Sequence, residues 1–128
     1  MPTTVVIFFK EADGSVPVLE WLKELRRTSP RAYAKCRVKI RRLAEMGHEL
    51  RRPEADTLRD GISELRVRFG HVNYRVLYAI HDRVTAVMAH ALTKEDAVPA
   101  RDIDLAIARK KLFEKNPGRH TYTDGGAT

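Results

Sequence analysis

A single cysteine, Cys36, in 128 residues leaves nothing to pair in a disulfide and no thiolate cluster for zinc or iron–sulfur chemistry. No apolar run approaches the roughly 20 residues that cross a bilayer. The first residues lack the basic–apolar–small order of a secretion signal. These shortages predict a cytoplasmic protein with no membrane partner. Acids are scarce too: 17 Asp and Glu stand against 24 Lys and Arg, for a net charge of +7. That balance excludes nothing by itself, but it suits a polyanionic partner, whether nucleic acid, an acidic protein or an anionic surface. Several chemical motifs are also missing. No glycine-rich phosphate loop, Walker lysine, His-x-x-x-His pair or nucleophile elbow occurs, and the carboxylates are scattered, so no cofactor and no metal are expected.

The remaining pattern is that of one α+β domain over residues 1–116, followed by a disordered Gly-rich tail at 117–128. Thr4–Lys10 is β-branched and aromatic, hence a strand. Leu19, Trp21, Leu22 and Leu25 recur at helical spacing after Ser15 and Pro17. Ser29-Pro30 opens a second helix with an apolar stripe of Tyr33, Cys36, Ile40 and Leu43, closed by Gly47. Arg51–Asp60 is polar, holds Pro53 and reads as a loop. Leu65, Val67 and Phe69 then alternate with Glu64, Arg66 and Arg68, the period of a strand. Tyr74–Ile80 and Val84–Leu92 complete an antiparallel meander, and Val98-Pro99 opens a last helix that runs to about Lys115. The predicted order is β-α-α-β-β-β-α, with the first two helices on one face of the sheet.

The other face carries the cations. Arg66 and Arg68 point the same way, Arg75 lies on the next strand, and His90 and Lys94 on the third. Strands favour apolar and β-branched residues, so a row of guanidinium and ammonium groups calls for an anion. A solvated edge strand explains alternating arginines equally well. His90 fits a hydrogen-bonded structural role as well as a catalytic one. On the second helix Lys35 and Lys39 form a stripe opposite the apolar one, either a solvated face or a phosphate-binding surface. Cys36 lies on the apolar stripe and reads as a buried thiol.

Four segments carry a family resemblance: S-x-P-V-L-E-W-L-x-E-L at Ser15–Leu25, E-L-R-x-R-F at Glu64–Phe69, Y-R-V-L-Y at Tyr74–Tyr78 and A-H-A-L-T-K-x-x-x-x-P at Ala89–Pro99. Together they resemble the HigB-like toxins of the RelE/ParE superfamily from type II toxin–antitoxin systems. The resemblance implies a microbial-ribonuclease-like fold and a ribosome-dependent mRNA endoribonuclease. Its partners would be a cognate antitoxin, commonly of helix-turn-helix type, together with the ribosome and mRNA. It implies that Arg66, Arg75 and Lys94 are the working cations, with Arg68 beside them. His90 is added as a candidate acid or base, and Lys35 and Lys39 as phosphate contacts. Two other readings stay open: a ParE-like gyrase poison, and a non-cleaving RNA- or partner-binding relative. Glu95, directly after Lys94 where relatives often carry a second lysine, keeps the latter in play.

Overall fold

A computed structural model of the chain describes residues 4–93 and 96–123, so Lys94 and Glu95 lie outside the described residues. β1 (Val5–Phe9) is followed by α1 (Pro17–Thr28) and α2 (Pro30–Met46). Four strands come next: β2 (Ala55–Arg59), β3 (Ile62–Phe69), β4 (Val72–His81) and β5 (Thr85–Thr93). α3 (Ala100–Lys115) and the two-residue β6 (Thr121–Tyr122) complete the α+β fold. The six strands are ordered β2-β3-β4-β5-β1-β6.

The helices form where the sequence marks them. Pro17 and Pro30 both stand at a first helical position, where the missing N–H costs nothing. The caps differ from expectation. The Ser15 hydroxyl donates to Asp13, and the amide of Val16 at the head of α1 is taken by Glu20 (3.0 Å). Ser29 makes no side-chain cap bond. Gly47 ends α2 with φ +57°, and a Cβ there would stand 2.2 Å from Thr4 Oγ1, so both backbone conformation and space demand glycine.

Two segments correct the sequence-based expectation. Ala55–Arg59, expected as loop, is an edge strand paired antiparallel with β3. Its sequence ADTLR carries little strand propensity, and backbone pairing with β3 supplies what the side chains do not. Residues 117–123, expected within a disordered tail, turn back on the sheet. Thr121 and Tyr122 pair with β1, and buried His120 stacks on Phe9 and donates from Nδ1 to the Lys10 carbonyl (2.7 Å).

The sheet divides two cores. On one face Leu22, Leu25, Cys36, Ile40 and Leu43 of α1 and α2 pack on Phe8, Leu65, Val67, Val76 and Met88. Tyr74 and Tyr78 point into this core as well. Tyr78 is bonded to Ser63, and burial raises the pKa of its phenol. Burial also pushes the Cys36 thiol up to about 12, which leaves it unreactive at neutral pH. On the other face Ala106, Ile107 and Phe113 of α3 cover Leu77, Ala79, Ala89, Ile7 and Phe9. β1, parallel to β5 and inside the sheet, is apolar on both sides as such a strand must be.

Candidate phosphate-binding site

The register across β2, β3 and β4 builds the site. Arg66 lies directly opposite Arg75, and Asp56 directly opposite Glu64. Like charges face each other in both pairs, which destabilises each taken alone. The diagonals relieve this. Glu64 reaches Arg75 across the β3–β4 step, and Asp56 reaches Arg66 (3.1 Å) across the β2–β3 step. Glu64 also forms an ion pair with Arg66 on its own strand (3.2 Å), and Arg52 closes the far end on Asp56 (3.1 Å). Three guanidinium groups therefore alternate with two carboxylates over three strands and the turn that precedes β2.

This network corrects the premise of a cationic row with few acids. Glu64 is 4% exposed and Arg75 12%, whereas Arg66 is 38% exposed and Arg52 76%. The cluster is buried at Glu64 and opens to water toward β2. Arg75 is incompletely satisfied: its buried Nε has no hydrogen-bond partner among the described residues. A guanidinium carries five donors in a fixed fork, and Glu64 does not exhaust them. The Arg52 guanidinium, bonded to Asp56, holds that carboxyl below its usual range, with the Thr57 amide and Arg66 acting in the same direction.

His90 stands apart from this cluster. A bulge in β5 between Met88 and His90 turns both Ala89 and His90 toward α3. Leu77 separates His90 from Glu64 in the ladder. Nε2 of His90 lies 2.8 Å from Asp102, and Nδ1 lies 3.3 Å from Arg109 Nη1. Arginine only donates, so Nδ1 accepts and Nε2 carries the proton. Both ring nitrogens are thus committed. Arg109 also donates to the Ala89 carbonyl (2.9 Å), pairs with Glu11 (3.3 Å) and lies over the Phe9 ring.

The other expected residues scatter. Arg68 is exposed and donates to the Gly70 carbonyl. Lys35 and Lys39 belong to α2, across the sheet from Arg75. Lys35 donates to the Arg68 carbonyl (3.2 Å), and Lys39 pairs with Glu54 (2.8 Å) beside Arg42. The Glu54 carboxyl is held below its usual range by Arg42 first and Lys39 second. Lys94 lies outside the described residues. A cleft of about 650 Å³ lined by Leu50, Arg51, Thr57, Ser63 and Tyr78 also opens on the helix side, and only Arg52 and Asp56 border both it and the arginine network. Its cations, Arg51 and Arg52, are chain neighbours and not a pair set opposite each other across strands as Arg66 and Arg75 are, so the arginine network is the better anion site.

Glu64, Asp56, Asp102 and Arg109 were missed in the sequence. Glu64 had a legible signal, since it sits two residues from Arg66 on the same strand face. The others are brought in by pairing or by α3. Among the described residues no cluster of His, Cys, Asp and Glu has the makings of a metal site, and no helix is long and apolar enough to cross a membrane.

Residues 23–111, well over half of the chain, match the family model described as phage derived protein Gp49-like (DUF891). The chain belongs to this Gp49-like family, and the matched span contains every cation of the site. No curated protein matches the chain.

Proposed function

We propose that this protein is the toxin of a type II toxin–antitoxin system and a ribosome-dependent mRNA endoribonuclease of HigB-like type. Membership of the Gp49-like family supports a toxin of the RelE/HigB kind. The observation that carries the chemistry is the facing pair of Arg66 and Arg75, with the buried Arg75 Nε lacking a partner among the described residues.

In the proposed reaction an RNA 2′-oxygen attacks its own adjacent phosphorus while the bond to the 5′-oxygen breaks. The 2′-hydroxyl loses its proton to solvent, and the leaving 5′-oxygen takes one up. The products are a 2′,3′-cyclic phosphate and a 5′-hydroxyl. The nucleophile belongs to the substrate, so the protein's task is alignment and stabilisation of negative charge. Arg66 and Arg75 hold the phosphoryl oxygens, Arg68 binds a neighbouring phosphate, and Lys94 serves the leaving oxygen. His90 anchors α3 in this scheme rather than moving a proton. Net charge favours ribosomal RNA by counterion release, so binding weakens with salt. A cognate antitoxin is the expected partner.

Primer-extension mapping of transcripts after induction tests this reading. Cuts in translated messages, lost in Arg75→Lys, are the expected result. Intact transcripts with blocked gyrase would replace it with the ParE-like reading. The two carboxylates inside the cluster favour a second reading, a non-cleaving RNA-binding relative, and RNA binding with no cuts would establish that one.

A further inference from the structure

Carboxylates are almost never fully buried unless they are paired, and Glu64 is the one buried acid among the described residues. It sits inside a site proposed above to bind an anion, where a negative charge lowers affinity. Its position in the ladder explains the apparent conflict. Arg66 and Arg75 are direct cross-strand neighbours and repel. Without a shared anion the two flexible side chains would splay apart in the free protein. Glu64 touches both and has no other side-chain partner among the described residues.

We propose that Glu64 is the positioning residue of the arginine site: it holds Arg66 and Arg75 side by side before the phosphate arrives, at the cost of one unit of positive charge. The proposal rests on the endoribonuclease reading for its catalytic consequence and on the geometry alone for its effect on binding. The carboxylate orients the guanidinium groups and does not touch the reacting atoms. Glu64 thus exchanges affinity for alignment, since a phosphate displaced by about 1 Å can lose roughly a hundredfold in rate.

Two substitutions separate charge from reach. Glu64→Gln keeps the shape and removes the charge. It should bind a short single-stranded RNA oligonucleotide more tightly, steepen the salt dependence by about 0.7 in log–log slope, and cut ribosome-bound mRNA at least tenfold more slowly. Glu64→Asp keeps the charge and shortens the reach. It should leave the slope unchanged and still lower cutting. A purely structural role predicts something else: both variants would lose binding and cutting together, in proportion to the unfolded fraction, with no change in slope. That result would overturn the proposal, as would wild-type cutting by folded Glu64→Gln.

Should Glu64→Gln not fold, the wild-type protein decides. The Arg75 Nη protons should give separate NMR signals before RNA is added, because the carboxylate stops rotation about the Cζ–Nη bonds. A single averaged signal would overturn the proposal. If the wild-type protein cuts no transcript, the endoribonuclease reading falls, while the salt slope and the NMR signals still decide the role of Glu64.

Discussion

The network around His90 and the network around Glu64 lie on the same face of one sheet, separated in the ladder by Leu77. Both mix arginine with carboxylate, but the first joins segments distant in sequence, from Glu11 to Arg109, while the second joins the consecutive strands β2, β3 and β4. They differ in what lies over them. α3 covers the first, and it supplies Asp102 and Arg109 from its own turns. Nothing described covers the β2 end of the second, where Arg66 and Arg52 meet water. In the closed network the polar groups of the ring are all committed. Each network also holds a buried arginine Nε without a hydrogen-bond partner among the described residues, Arg109 in the closed one and Arg66 and Arg75 in the open one, so exposure to water rather than a leftover donor separates them. The same residue types therefore tie a helix to the sheet in one place and offer a seat for an anion in the other, and the covering helix makes the difference.

Arg75→Lys should break the open network's function with the largest effect. Lysine keeps the charge beside Glu64 but loses the fork, so mRNA cleavage should fall by roughly a hundredfold while the melting temperature stays near that of wild type. Primer extension and thermal unfolding measure the two. Full cleavage would make both networks structural. Arg75→Ala is the poorer test, because it leaves buried Glu64 with only the more exposed Arg66 as partner and should cost stability as well as cleavage.

In the closed network the main effect should fall on stability. Arg109→Met leaves Glu11 without its partner and deprives the His90 Nδ1 of its donor. Urea unfolding should show a loss of about 3 kcal/mol, with cleavage per folded molecule retained. A cleavage defect beyond the unfolded fraction would erase the contrast between the networks.

His90→Gln sharpens the same boundary. It should cost about 1 kcal/mol of stability through the weakened bond to Asp102 and leave cleavage intact. A loss of roughly a hundredfold or more would return His90 to the chemistry as an acid or base.

The smallest effect concerns the half-exposed cluster of Glu54, Lys39 and Arg42, which neither α3 nor the sheet encloses. Arg42 and Lys39 depress the Glu54 pKa below its ordinary 4.5. A depressed folded-state pKa contributes stability in full above the unfolded value. That contribution is lost as pH falls through the lower, folded one. Stability should therefore decline on acidification below about pH 4.5, and Glu54→Gln should make that decline shallower. An identical acid limb in the variant would show that the cluster contributes nothing.

Much of the fold was legible. Leu65, Val67 and Phe69 alternate with charged residues, which marks β3 and its buried face. The Pro and Gly punctuation marks α1, α2 and α3 to within a residue or two. The turn expected at Gly70–Asn73 put Arg66 and Arg75 on neighbouring strands, and the register that sets them on one face came from the structure. β2 was not legible, because a short polar edge strand exists only through its partner's backbone. Nor was the ordered stretch through Tyr122, which depends on His120 finding Phe9 and the Lys10 carbonyl.

By itself the sequence determined the order of the three helices and four of the six strands, the two-faced sheet and the identity of the cations, because alternation, helical period and net charge are local properties of the chain. Only the tertiary structure decided which cations meet. Arg75 finds Glu64, and Arg66 finds Asp56, along diagonals created by strand register, while a bulge at Ala89 and the seating of α3 hand His90 to another network. Register, bulge and covering helix are long-range outcomes of packing, and no window of neighbouring residues contains them.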